Sequence, residues 1–219
     1  MVYLLDLISM ELILIRHAQR KGNESNIVQG QTDNGLSELG KEQAKQLTEY
    51  FNPGDLNAIY SSDLSRALQT AKPTAEKLKL DIKTDADLRE AEFGIWEGLT
   101  YNGVKEKFQE EYNAWHRNYL IRPSWFESFE SHLKRIRKAV EKILQNHALS
   151  DRVAVFTHGG SIKTQIGHYK NLTGEELTQF SNANCSLTLI KYNPSKNYED
   201  GKLIYYNKEV IKITAQKEL

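Results

Sequence analysis

Leu12-Ile13-Leu14-Ile15-Arg16-His17 is the stretch on which the fold turns. Four consecutive apolar, mostly β-branched residues suit a short strand covered on both faces, as in a sheet with helices on either side. The run stops at an arginine and a histidine. A second run, Val153-Ala154-Val155-Phe156-Thr157, stops in the same way at His158-Gly159-Gly160.

Working outward, residues 22–35 are rich in Gly, Asn, Gln and Asp and read as a long loop. Ser37 then caps a helix to about Phe51, closed by Pro53-Gly54. Ala58–Ser61 reads as a strand. It leads into a helix from near Asp63 that carries Leu64, Ala67, Leu68, Ala71 and Ala75 at helical spacing. Ile82 starts a third strand, and Gly94 and Gly98 keep Leu88–Leu99 extended or looped. Helices are expected from Asn102 to about Arg117, from about Phe126 to Gln145 and near Ser161–Tyr169, with late strands near Leu187–Tyr192 and Leu203–Tyr206. Alternating strands and helices imply an α/β class fold, a three-layer α/β/α sandwich with a largely parallel central sheet. The insertion at about 99–130 is read as a helical cap on a single domain spanning 1–219.

At 219 residues one core can form, burying roughly 70% of the unfolded surface. Lys+Arg and Asp+Glu both number 29, so no global field marks a nucleic-acid or membrane binder, and any anion site must be local. No stretch approaches the ~20 apolar residues of a membrane span. The lone Cys185 reads as a buried, inert thiol. Residues 1–9 lack the basic start of a secretory signal and are read as an upstream start-codon extension before Met10, which points to a cytoplasmic protein.

In open α/β sheets ligands collect beyond the carboxyl ends of the strands. His17 and His158 therefore face one crevice, joined by Arg16, by Arg66 early in its helix, and by Glu90 in the loop after the third strand. Two imidazoles, two guanidiniums and one carboxyl suit phosphoryl transfer, where catalysis is mainly positioning and charge stabilisation. A neutral imidazole is a competent nucleophile near pH 7, and a carboxylic acid can protonate a departing alkoxide. His116, His132, His147 and His168 show no metal-ligand spacing and read as surface or capping residues; no metal site and no cofactor are expected.

These residues resemble the histidine phosphatase, or phosphoglycerate mutase-like, superfamily. Its Arg-His-Gly…Asn motif is similar to Arg16-His17-Ala18-Gln19-Arg20-Lys21-Gly22-Asn23, followed by Gly30. The likeness continues through Leu36-Ser37-Glu38-Leu39-Gly40, Tyr60–Ala71, Leu88–Gly98 and Phe156–Ser161, spanning most of residues 11–192. The resemblance implies His17 as nucleophile, Glu90 as acid/base, and Arg16, Arg66, His158, Asn23 and Gly159 around the phosphate. Ala18 replaces a family glycine, which is tolerable if the backbone there needs no positive φ. Arg20 stands where a hydroxyl is usual, and is either a substitute phosphate ligand or a solvated loop arginine.

The stretch Phe93–Gly98 looks more like the broad phosphatases and α-ribazole phosphatases of the family than its mutases. The expected activity is metal-independent hydrolysis of small phosphomonoesters through a phosphohistidine. Two alternatives stand beside it: a cofactor-dependent phosphoglycerate mutase and a non-catalytic phosphate-binding protein. Glu92 weighs against a doubly anionic guest if it faces the pocket, since a second carboxylate ~4 Å from an anion costs roughly 4 kcal/mol at an effective dielectric of about 20. The physiological substrate and the oligomeric state, a dimer among the options, stay open.

Overall fold

The computed structural model describes residues 9–21 and 26–213. The expectations for residues 1–8 and for Asn23 lie outside this range. Six strands form one sheet in the order β3-β2-β4-β1-β5-β6. They are β1 (Met10–Arg16), β2 (Ala58–Ser61), β3 (Ile82–Thr84), β4 (Arg152–Thr157), β5 (Leu187–Tyr192) and β6 (Lys202–Lys208). The first four pair in parallel, while β5 runs antiparallel to both β1 and β6. The sheet is thus largely parallel with an antiparallel edge.

The run Leu12–Ile15 of β1 is apolar on both faces because each face meets a different layer. Leu12 and Leu14 join Val153 and Val155 against α5 (Phe129–Gln145) and α6 (Gly159–Lys170). Ile13 and Ile15 join Ala154 and Phe156 against α1 (Glu38–Thr48) and α2 (Ser65–Leu78). Ser37 caps α1 by accepting from the Gly40 amide at 3.0 Å, as Ser128 caps α5 from Ser131.

The helix expected over 102–117 is two helices, α3 (Tyr101–Lys107) and α4 (Gln109–Arg117). Phe108 leaves helical geometry at φ −136° and turns its ring onto Trp96 and Trp125. A third apolar cluster forms there, with Val28, Trp96, Val104 and Phe126 buried at its centre. Burying an aromatic ring outweighs the few helical hydrogen bonds lost at the break. The short α7 (Gly174–Thr178) was not anticipated, although Thr173 and Glu176 form its capping box.

His132 corrects the surface reading, since it is fully buried between α5 and α6. Its Nε2 lies 3.2 Å from Ser161 Oγ and its Nδ1 3.3 Å from Thr164 Oγ1. The Ser161 hydroxyl donates to the Arg89 carbonyl. Nε2–H therefore donates to Ser161, and Nδ1 accepts from Thr164. Burial, with Arg135 and Arg122 nearby, holds this imidazole neutral well below the usual 6.5. In that regime the unfolded chain binds the extra proton, so stability is full above pH 6.5 and is lost as pH falls. Chemical denaturation from pH 7.5 to about 5 is expected to give a pH slope steeper in wild type than in His132→Leu by about one bound proton; equal slopes would refute the assignment.

Candidate active site

The register of β1 with β4 builds the centre of the site. Arg16 pairs with Thr157, so His17 and His158 are each the next residue beyond paired, parallel strand ends. Their ring centroids lie 5.3 Å apart, near the spacing of the strands themselves. The His17 amide donates to the Thr157 carbonyl at 2.9 Å, and Asn184 donates to the His17 carbonyl at 2.8 Å. Ala18 does not have a positive φ and is fully buried in the core, so the missing glycine costs the backbone nothing.

His17 Nδ1 lies 2.7 Å from the Ala18 carbonyl. A carbonyl only accepts, so Nδ1 carries the hydrogen and Nε2 keeps its lone pair. Burial first, then Arg66 and Arg16, hold His17 neutral well below 6.5. His158 is likewise held low by burial, Arg66 and the neighbouring ring. Both of its ring nitrogens are buried without partners among the described residues.

Arg66, the second residue of α2, donates to the Gly30 carbonyl at 2.7 Å and the Thr32 carbonyl at 3.0 Å. Asp33 stands 3.6 Å away. Arg16 donates to the Asn182 carbonyl, and its Nε is buried without a partner among the described residues. Neutral carbonyls are weak compensation for buried guanidiniums, and burial is the largest influence lowering the pKa of both.

Glu90 accepts from its neighbour Ala91 N and from Gly160 N, both at 2.9 Å. Arg135 of α5 holds the loop that carries it. This guanidinium donates to the carbonyls of Asp87, Arg89 and Glu90 at 2.6–2.9 Å and pairs with Glu127 at 2.7 Å. Glu97 staples the opposite wall through the amides of Gln31, Thr32 and Phe93. Neither residue stood out in the sequence, because their partners are backbone groups of distant segments.

The cleft between these groups measures about 280 Å³ and is lined by Arg16, His17, Arg66, Glu90, Gly159 and Gly160, among others. His158 is fully buried and is not among the lining residues, with its ring centre 5.3 Å from that of His17. Of the residues named from sequence, Asn23 alone lies outside the described range. Arg20 is no solvated loop arginine. It lines the cleft, donates from Nη2 to the Ile27 carbonyl at 2.6 Å, and has a buried Nη1 without a partner among the described residues. Burial and the two other arginines bring it down to about 10. Gln29, missed in the sequence, is also buried in the lining, with both side-chain amide atoms unpartnered among the described residues.

Glu92 is a correction. Its side chain is exposed and lies outside the cleft lining, so it raises no barrier to a doubly anionic guest. Of the aromatic residues near the cleft, Trp96 and Phe126 are core, while Trp115 reaches the lining.

Comparison with known proteins gives the family and the fold. Residues 12–200 match the sequence model of the histidine phosphatase superfamily, branch 1. A putative phosphoserine phosphatase 2 of Hydrogenobacter thermophilus is 31% identical over 198 residues, covering 90% of this chain and 95% of that one. A mycobacterial glucosyl-3-phosphoglycerate phosphatase structure superposes with a TM-score of 0.82 at 27% identity, over 92% of this chain and all of the other. A bifunctional protein of Mycobacterium tuberculosis is 35% identical over 153 residues, 69% of this chain, and the match spans 42% of that protein's length.

A methyl group at Gly160 would stand 2.3 Å from Glu90 Oε1 and 3.1 Å from the Tyr119 hydroxyl. Gly160→Ala should therefore displace the carboxyl and lower kcat on alkyl phosphates by roughly 10–100-fold, with the thermal midpoint changed little. Unaltered turnover would show that the Glu90 position is not critical.

Proposed function

From the premise that this chain belongs to the histidine phosphatase superfamily, branch 1, we propose that it hydrolyses small phosphomonoesters without a metal, through a phosphohistidine at His17. The observation that carries this reading is the His17 tautomer: a neutral ring with Nδ1 tied to the Ala18 carbonyl and Nε2 free at the cleft. In this reading Nε2 attacks phosphorus, forming the N–P bond as the P–O bond to the alcohol breaks. The Glu90 carboxyl gives its proton to the leaving oxygen. The resulting carboxylate then takes a proton from water, whose oxygen attacks phosphorus and releases His17.

Arg16 and Arg66 stabilise the charge on the equatorial oxygens, and the unpartnered His158 nitrogens supply a further hydrogen bond. Arg20 Nη1 serves as the ligand in place of the family hydroxyl, with Gly159 lining the same cradle. Asn23 retains the phosphate-side role implied by its motif. The segment at about 99–130 acts as the cap, since Tyr101, Trp115 and Tyr119 from it form one wall of the cleft. The phosphatase names of the Hydrogenobacter and mycobacterial proteins support hydrolysis. Among the described residues no helix is long and apolar enough to cross a membrane, which suits a dissolved, small-molecule ester.

Hydrolysis of p-nitrophenyl phosphate in excess EDTA is the direct test. Wild type should be active and His17→Ala inactive, with little isomerisation of 3-phosphoglycerate in the presence of 2,3-bisphosphoglycerate. Rapid isomerisation would replace the phosphatase with a mutase. In the free enzyme kcat/KM depends on neutral His17, so its acid limb should lie below pH 6.5, the ordinary imidazole value; a limb above that value would contradict the buried-neutral assignment.

A further inference from the structure

Arg66 reaches the cleft as a buried guanidinium whose direct hydrogen-bond partners are neutral. Its Nη2 donates to the Gly30 carbonyl at 2.7 Å and its Nη1 to the Thr32 carbonyl at 3.0 Å, while its Nε is buried without a partner among the described residues. Asp33 Oδ1, 3.6 Å from Nη1, is beyond hydrogen-bond distance. Asp33 Oδ2 instead accepts from the Ser65 amide at the start of α2. A second carboxylate lies one peptide further away.

The Gly30 carbonyl and the Gln31 amide belong to the same peptide group, and in a planar trans peptide they point in opposite directions. The carbonyl faces Arg66, and the amide donates to Glu97 Oε1 at 3.1 Å. One peptide thus bridges a guanidinium and a carboxylate. Glu97 Oε2 takes the Thr32 amide at 2.8 Å and the Thr32 hydroxyl at 2.6 Å, and Oε1 also takes the Phe93 amide at 3.0 Å. Four donors converge on this carboxylate, three of them from the segment that holds Arg66. Gly30 is fitted to the approach. Its φ is +50°, and a Cβ there would stand 2.0 Å from Glu97 Oε1, so a side chain at position 30 and the carboxylate of Glu97 exclude each other.

Hydrogen bonds in a chain polarise one another, and a charged acceptor at one end makes the carbonyl at the other end a stronger acceptor. Glu97 thereby acts on Arg66 without touching it. A carboxylate in direct contact would occupy donors that a phosphate oxygen needs; set back behind a peptide, it holds the guanidinium and leaves the remaining donors open. Burial lowers Arg66, and Glu90, Asp33 and Glu97 pull it back up in that order.

We propose that Glu97 is a positioning residue for phosphate binding, holding Arg66 in the cradle through the peptide group between Gly30 and Gln31. This role rests on the phosphatase reading for one point, that Arg66 meets the phosphoryl oxygens.

Calorimetric binding of inorganic phosphate to wild type, Glu97→Gln, Arg66→Met and the double variant tests it without turnover. Glu97→Gln keeps the side-chain shape and removes the charge, and should weaken phosphate binding about tenfold, as for the loss of a charged hydrogen bond. In the Arg66→Met background the same substitution should change binding less than about twofold, because the group it acts through is gone. Equal losses in both backgrounds, or none in either, would overturn the role and leave Glu97 as a support of the loop alone. The acid limb of kcat/KM reads the same link. Arg66 is the charge that lowers His17 most, ahead of Arg16 and Arg20; the His158 ring faces His17 as well, and Glu90 lines the same cleft. With those groups unchanged, a loosened Arg66 should move the limb of Glu97→Gln to higher pH, and an unmoved limb contradicts the role. Should Glu97→Gln fail to fold, Thr32→Val, which deletes the 2.6 Å bond at an exposed position, carries the same cycle with about a threefold loss expected. Coupled binding with no hydrolysis by wild type would sink the phosphatase reading and leave the role of Glu97 standing; hydrolysis with uncoupled binding would do the reverse. Absence of phosphate binding by wild type would sink both.

Discussion

The parallel pairing of β1 with β4, with Arg16 opposite Thr157, is the constraint on which the rest of the site depends. It places His17 and His158 side by side at the end of the sheet with no flexible loop between strand and ring. A one-residue slip would send the strand side chains to the opposite faces and mismatch both apolar layers at once. The same alternation that buries Ile13 and Leu14 on opposite faces therefore also locates the two imidazoles. Core packing and site geometry are one register.

Around that fixed pair the molecule concentrates cations that it does not neutralise. Arg16 and Arg66 are desolvated and bonded to backbone carbonyls, with Asp33 at 3.6 Å as a partial counter-charge for Arg66. A buried charge left in this condition opposes folding, and the sheet and helices must supply the difference. In return the cleft is electrostatically complementary to a dianion before one arrives, and His17 in its lining is kept neutral. The acid side is arranged differently. Glu90 is set by backbone amides and by Arg135, which binds the carbonyl oxygens of Asp87, Arg89 and Glu90 itself. Positioning groups and charge-bearing groups thus come from opposite walls.

Much of this was legible in the chain. The two apolar runs ending in histidine, the early placement of Arg66 in its helix and the Ser37 cap all follow from local rules, namely alternation or continuity of apolar residues and the short reach of a capping hydroxyl. Misreadings occurred where tertiary packing overrode a local pattern. The unbroken helix over 102–117 failed because Phe108 finds a larger burial against Trp96 and Trp125 than inside a straight helix. His132 lies on the amphipathic α5 among charged residues, and only the approach of α6 takes it out of water. Glu92 looked as near the chemistry as Glu90, two residues away, but a loop side chain points where the loop turns.

The sequence by itself determined the order of the strands along the chain, the family to which the chain is similar and the identity of the residues that meet at the carboxyl ends of the central strands, because those are properties of periodicity and of residue type at close separation. Only the tertiary structure decided the break between α3 and α4, the short α7, the His17 tautomer, the burial of Arg20 in the cleft and the grip of Arg135 and Glu97 on distant backbone. Each of these depends on which groups separated by tens of residues end within hydrogen-bond reach, and on which charges are left without a partner once water is removed.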